Sequence, residues 1–221
     1  MYIIAGLGNP GEEYEKTRHN TGRIVLDALR TAFNLPLWKK DGKINALVSD
    51  GVMGKGASAQ KVRLMMPETF MNKSGQSVVS AVGVVGSGKN INVPAAKKAE
   101  QLVVVYDDLD LPLGSMKISF NRSSGGHRGL ESVIKALKSE AFVRIRIGIS
   151  GKTPTGKMKK PAGDVAVQDF ILGKFKDAEL KELARVSSRA LQAVEMLVSG
   201  GTNSKAVRTA RERAMGQFNK K

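Results

Sequence analysis

A chain of 221 residues, 41% of them hydrophobic, is long and apolar enough to bury a core, which excludes an intrinsically disordered protein. Its longest apolar stretches, such as residues 78–85, fall far short of the ~18 residues a membrane-spanning helix needs. The absence of cysteine excludes a disulfide framework, thiol catalysis and cysteine-held metal.

Charge is the first functional signal. Lys and Arg outnumber Asp and Glu by 36 to 20, a net charge of +16. Such an excess attracts polyanions, and nucleic acid is the partner it favours over the plainer alternative of a generally basic, soluble surface. Aromatic residues are only 5%, so stacking on many single-stranded bases is not the expected mode. The first residues show neither a basic flank nor a small-residue cleavage site, so no secretory signal is expected.

In chain order, residues 2–5 read as a short buried strand, followed by a glycine-rich turn. Residues 21–33 place Ile24, Val25, Ala28, Leu29 and Ala32 on one helical face. Residues 43–53 and 61–65 alternate as strands do. After Pro67 and Glu68 comes PETFMNKSG, then an apolar stretch at 74–85 that suits a buried helix, then a Gly-, Asn-, Pro- and Lys-rich loop at 86–98. Residues 102–106 form a nearly continuous apolar run ending at Asp107, as a central strand would. Strands are expected at 116–120 and 143–149, with a loop at 121–126 and a helix at 130–137. Residues 151–161 (GKTPTGKMKKP) have the composition of a mobile basic loop. Residues 177–199 form an amphipathic helix that opens on acidic residues, where the helix dipole favours them. A Lys- and Arg-rich tail follows from Thr202. No internal repeat or linker divides the chain, so one α/β domain over residues 1–221 is expected.

Gly6, Gly8 and Gly11 spell G-x-G-x-x-G directly after the first strand. A dinucleotide fingerprint also needs a helix start facing the pyrophosphate and an acid ~20 residues on. Here Glu12 and Glu13 would repel a pyrophosphate, and residues 12–20 carry no continuous apolar face. Asp50, the acid at the end of the next strand, lies too far along. Asn9-Pro10-Gly11 reads better as a turn that places Asn9 at the mouth of a cleft.

His19 and His127, the only two histidines, both sit among glycines, polar residues and charges and not on an apolar helical face. Each is a candidate general base. Asp107 admits three readings: part of a solvated acidic turn with Asp108 and Asp110, a metal ligand, or the partner that fixes a histidine tautomer. The third is preferred, because no phosphate-cradling loop with a lysine accompanies the acids. Phe70 and Met71 suit a core, whereas the Asn72 amide suits a carbonyl on which charge builds. Neither G-x-S-x-G nor S-x-x-K occurs, so activated water is the simpler nucleophile.

GLGNPGEEYEKTRHNTG (6–22), PETFMNKSG (67–75), VVVYDDLDLPLG (103–114), SSGGHRGLESVIKAL (123–137), FVRIRIGI (142–149) and QDFILGKF (168–175) together resemble the bacterial-type peptidyl-tRNA hydrolases. The resemblance implies a single α/β domain, a twisted mixed sheet flanked by helices, acting as a cytoplasmic monomer with no cofactor, no metal and no membrane. The substrate it implies is peptidyl-tRNA, whose peptide ester is cleaved to recycle tRNA from stalled or aborted translation. By that resemblance His19 is the general base and Asp107 holds and polarises it. Asn9 helps to distinguish peptidyl from free aminoacyl substrate, and Asn72 supports the reacting carbonyl. Tyr14, Phe70 and Met71 line the site near the terminal adenosine and peptide. Two positions depart from the family pattern. Arg128 replaces the usual Asn after the second histidine, and Ser119 stands where a lysine often serves tRNA phosphate. Lys117, Arg122 and Arg146 are then the candidates for the 5′ phosphate, with Arg128 a further substrate contact. A non-catalytic RNA-binding relative, as in organellar intron splicing, is the alternative. A nucleotide-dependent oxidoreductase rests on the three glycines alone.

Overall fold

The computed structural model describes residues 1–83, 99–153 and 155–220. The loop expected at 86–98 and the end of the helix expected at 74–85 lie outside the described residues.

The buried strand β1 (Tyr2–Gly6) occupies the middle of the sheet. It pairs in parallel with β4 (Gln60–Pro67) on one side and β5 (Leu102–Pro112) on the other. Beyond β4 lie β3 (Ala46–Met53) and β2 (Lys39–Asp41), both antiparallel. Beyond β5 come β7 (Val143–Lys152), parallel, and β6 (Met116–Phe120), antiparallel. The sheet is therefore mixed, parallel at its centre and antiparallel at its margins. Within residues 151–161, expected as a loop, Gly151 and Lys152 at the end of β7 pair with Lys159 and Met158 of β8 (Met158–Lys159) in a small ladder.

Both faces of the sheet are covered, as the period of two along each strand requires. Tyr2, Ile4, Val103, Val105, Ile145 and Ile147 face one core. There they meet α1 (Thr21–Ala32), α5 (Asp177–Ser199) and α6 (Ser204–Phe218). Ile3, Ala5, Leu102, Val104 and Tyr106 face the other, against α2 (Ser74–Val82) and α3 (Arg128–Leu137). Arg144, in the alternating run of β7, is completely buried and lies 4.5 Å over the Phe142 ring.

Some expectations shift. In α1 the buried face is Val25, Leu26 and Leu29, with Ala32 exposed, because the helix is rolled to bring Gly22 onto the sheet. The basic tail is a helix: Val207, Ala210, Ala214 and Phe218 of α6 are buried, Lys205, Arg208 and Arg213 face outward in the same period, and Arg211 lies half-buried 3.6 Å over the Phe120 ring. β5 continues past Asp107 to Pro112, with a register shift between Asp108 and Pro112 that bends its end. An unexpected helix, α4 (Asp164–Leu172), precedes α5 and buries none of its residues. No described helix is long and apolar enough to cross a membrane.

Two glycines set the approach of α1 to the sheet. A Cβ on Gly6 would stand 2.5 Å from the Gly22 carbonyl oxygen, and one on Gly22 would stand 2.3 Å from that of Val105. Gly11, with φ of 110°, provides the positive backbone angle at the end of the turn. Gly6 and Gly11 of the three-glycine pattern thus serve strand–helix contact and a turn.

Candidate active site

The site lies at the carboxyl ends of β1, β4 and β5, where parallel sheets open into a cleft. The turn after β1 carries Asn9, and a short 3-10 turn, Arg18–Asn20, carries His19 just before α1. Asn20 locks the two together. Its side-chain oxygen accepts from the Asn9 N–H at 2.8 Å and its NH2 donates to the Asn9 carbonyl at 2.9 Å. Asn9 in turn accepts the Met71 N–H through Oδ1 at 2.8 Å, tying this turn to the segment after β4. That bond fixes the amide orientation. It leaves the Asn9 NH2 as a donor without a protein partner among the described residues.

Asp107 joins from β5, only 3% exposed. His19 Nδ1 lies 3.0 Å from each of its carboxylate oxygens, and His127 Nε2 lies 3.0 Å from Oδ1. The tautomers follow. His127 Nδ1 accepts the Leu130 N–H at 3.1 Å as the cap of α3, so its proton is on Nε2 and is donated to Asp107. His19 donates from Nδ1 to the same carboxylate, which leaves the lone pair on Nε2. Burial is the largest influence on Asp107 and pushes its carboxyl up. The electrostatic attraction of the two facing rings of His19 and His127, with the hydrogen bonds from both, outweighs it and holds the group well below the usual carboxylate range. The three donor atoms lie within 4.8 Å of one another, a spacing that would also suit a metal ion. The hydrogen bonds account for all three without one.

A cleft of about 910 Å³ gathers Asn9, Tyr14, His19, Phe70, Met71, Asn72, Asp107, Lys117, Arg122, Arg128 and Arg146. Every residue singled out in the sequence therefore meets in one place. The matching family model describes peptidyl-tRNA hydrolase and covers residues 3–217. The chain belongs to the peptidyl-tRNA hydrolase family. It is 39% identical over 220 residues to the peptidyl-tRNA hydrolase of Caldanaerobacter subterraneus subsp. tengcongensis, covering 99% of this chain and 100% of that one. The Listeria monocytogenes enzyme of that name is 37% identical, over 88% of this chain and 91% of its own. The crystal structure of the peptidyl-tRNA hydrolase from Acinetobacter baumannii superposes with a TM-score of 0.77 at 29% identity, over 99% of this chain and 94% of that one.

In this member of the peptidyl-tRNA hydrolase family the acidic run after Asp107 is not a solvated turn. Asp108 is buried, accepts from Arg146 Nε at 2.5 Å and caps the Asp110 N–H at 2.7 Å. Arg146 is thus paired with Asp108, whereas Arg122, Arg128 and Lys117 are exposed. Lys160, from the end of the basic ladder, pairs with Asp110 at 2.5 Å and also borders the cleft. Phe70 is 60% exposed, not a core residue, and Asn72 beside it is exposed too. Met71 is buried, against Gly129.

Three contributors have roles that sequence reading does not give them. His127 was a candidate without a partner, and its partner lies 20 residues away on another element. Tyr106, the last residue of the VVVY run, reads as core, yet it borders the cleft and meets the His127 ring edge-on, with centroids 4.9 Å apart. Burial, joined by the Asp108 charge, pushes the Tyr106 hydroxyl up to about 12, so it remains a donor. The α4 wall, which supplies Val167, Gln168, Ile171 and Leu172, lacks the amphipathic spacing that would have marked it.

Proposed function

We infer that the protein hydrolyses the ester that joins a peptide to the 3′ end of tRNA. The observation that carries this is the His19–Asp107 pair, with His19 Nε2 free in a cleft that also holds Asn9 and Asn72, in a chain of this family. Water gives a proton to His19 Nε2 as its oxygen adds to the ester carbonyl carbon. Asp107 accepts the Nδ1 proton throughout and stabilises the imidazolium. Negative charge on the tetrahedral oxygen meets the amide donors of Asn72 and Asn9. The bond from carbon to ribose oxygen then breaks, and the imidazolium returns its proton to that oxygen. The products are a tRNA with a free terminal hydroxyl and a peptide carboxylic acid, which gives its remaining proton to water and leaves as the carboxylate.

His127 shares Asp107 and keeps its carboxylate ionised and oriented. Tyr14, Phe70 and Met71 take the terminal nucleoside and the peptide. Lys117, Arg122 and Arg146 serve the phosphates, and Arg128, which only donates, adds a contact to carbonyl or phosphate oxygen. The net charge of +16 supports a tRNA partner. We place the protein in the cytoplasm as a monomer that acts as one domain. The non-catalytic alternative is not favoured, because the His19–Asp107 pair is intact.

The test is release of peptide from an N-blocked aminoacyl-tRNA beside its unblocked counterpart. Hydrolysis confined to the blocked form is expected, and His19→Ala is expected to lose ~100-fold or more. RNA binding with no turnover in the unaltered protein would overturn the reading.

A further inference from the structure

Arg18 is 8% exposed, stands directly before His19, and takes no part in the reaction above. Its side chain runs to the junction of α4 and α5. Nη1 donates to the carbonyls of Gly173 at 3.2 Å and Lys174 at 2.8 Å. Nη2 donates to both oxygens of Glu179, at 2.9 and 2.8 Å. The guanidinium also lies 4.6 Å over the Phe170 ring. The backbone repeats the connection: the Arg18 N–H donates to the Gly173 carbonyl, and the Phe175 N–H to that of Lys16.

Glu179 has a second duty. Its Oε2 accepts the Lys176 N–H at 2.7 Å and so caps α5. One carboxylate therefore seats both the start of α5 and the arginine beside His19. On the other side of His19, Asn20 is bound to the Asn9 turn. His19 is held between two anchors, one on each neighbour, and among the described residues its ring touches only Asp107 by hydrogen bond. The Arg18 anchor leads to α4, which borders the cleft through Val167 and Ile171 yet buries none of its own residues.

We propose that Arg18 is a positioning residue. Its bonds to Glu179 and to the carbonyls of Gly173 and Lys174 hold the His19 turn in register with the α4 wall, so the alignment of the base depends on how the α4–α5 junction is seated. The proposal rests on His19 being the base. A misplacement of about 1 Å at a reacting group is enough to cost a large factor in rate.

Arg18→Lys tests it, because lysine keeps the charge but cannot make the forked contact. Two readouts are taken on folded protein: kcat and KM on N-blocked aminoacyl-tRNA, and the downfield proton NMR signal of His19 Nδ1–H in the free protein, identified by its loss in His19→Gln. The expected result is a kcat lowered about 10-fold with KM within about twofold, and a broadened or shifted Nδ1–H signal. Glu179→Gln should act in the same direction, and the double variant should fall short of the product of the two effects. An unchanged kcat in folded Arg18→Lys overturns the proposal, whatever its thermal midpoint. If that variant does not fold, Glu179→Gln removes the carboxylate pair and keeps the side-chain shape; it must lower kcat and disturb the signal, or the proposal falls. If the unaltered protein shows no turnover, the functional reading fails, and the NMR signal alone then decides the role of Arg18.

Discussion

Asp107 is 3% exposed and takes hydrogen bonds from two rings, while α4, in the wall of the same cleft, buries none of its residues and leaves Val165 76% exposed. The floor must be rigid because its groups define one another. His19 has its lone pair on Nε2 only because Asp107 takes the Nδ1 proton, and Asp107 stays ionised because both histidines donate to it. The wall has no such constraint. Its exposed residues border the cleft without defining one another, and such loosely packed segments tolerate changes of shape.

That contrast can be broken most directly at Asp107. Asp107→Asn keeps the shape of the floor but offers an amide that can donate, so either histidine can adopt the wrong tautomer. The expected loss in kcat is ~100-fold or more, measured on N-blocked aminoacyl-tRNA. A loss below tenfold would mean that the floor does not control the base.

Acid should act on the same group. The Asp107 carboxyl is held below its usual range in the folded state. Its contribution to stability is therefore complete above the ordinary unfolded value near 3.9 and disappears as pH falls through the lower folded value. The gap in thermal midpoint between the unaltered protein and Asp107→Asn should stay constant from neutral pH down to about 4 and then narrow. A gap that closes already between pH 7 and 5 would assign the stability to other groups.

The smallest effect belongs to the wall. Gln168→Ala, at an exposed position that borders the cleft, should change stability by less than about 0.5 kcal/mol, as at exposed sites generally, and leave kcat within about twofold. Damage comparable to that of Asp107→Asn would erase the distinction between the two regions.

Much of this was legible in the residues. The helix expected at 177–199 is α5 to the residue, because its apolar face repeats at helical spacing and acids open its first turn. The strands at 116–120 and around 102–106 follow from apolar runs between turn residues. The α4 segment escaped notice because its apolar residues mark no single face, and the basic tail escaped because its small buried alanines were hidden among arginines. The candidate site was legible as an inventory, with His19, Asp107, Asn9 and Asn72 all present in the cleft. Its pairings were not. Arg18 looked like one more cation in a chain rich in them, and only its 161-residue reach to Glu179 distinguishes it.

The sequence by itself determined which groups were available: two histidines, the acids after VVVY, the amides on turns, and a charge that suits a polyanion. Local spacing determined where most helices and strands form, since periodicity is a property of neighbours along the chain. Tertiary structure decided which groups meet. His19 and Asp107 are 88 residues apart in the chain, and they touch because β1 and β5 lie side by side in parallel, with Gly6 opposite Val105. That register sets the turn after one strand against the end of the other. No local rule contains it, because it depends on the packing of the whole sheet.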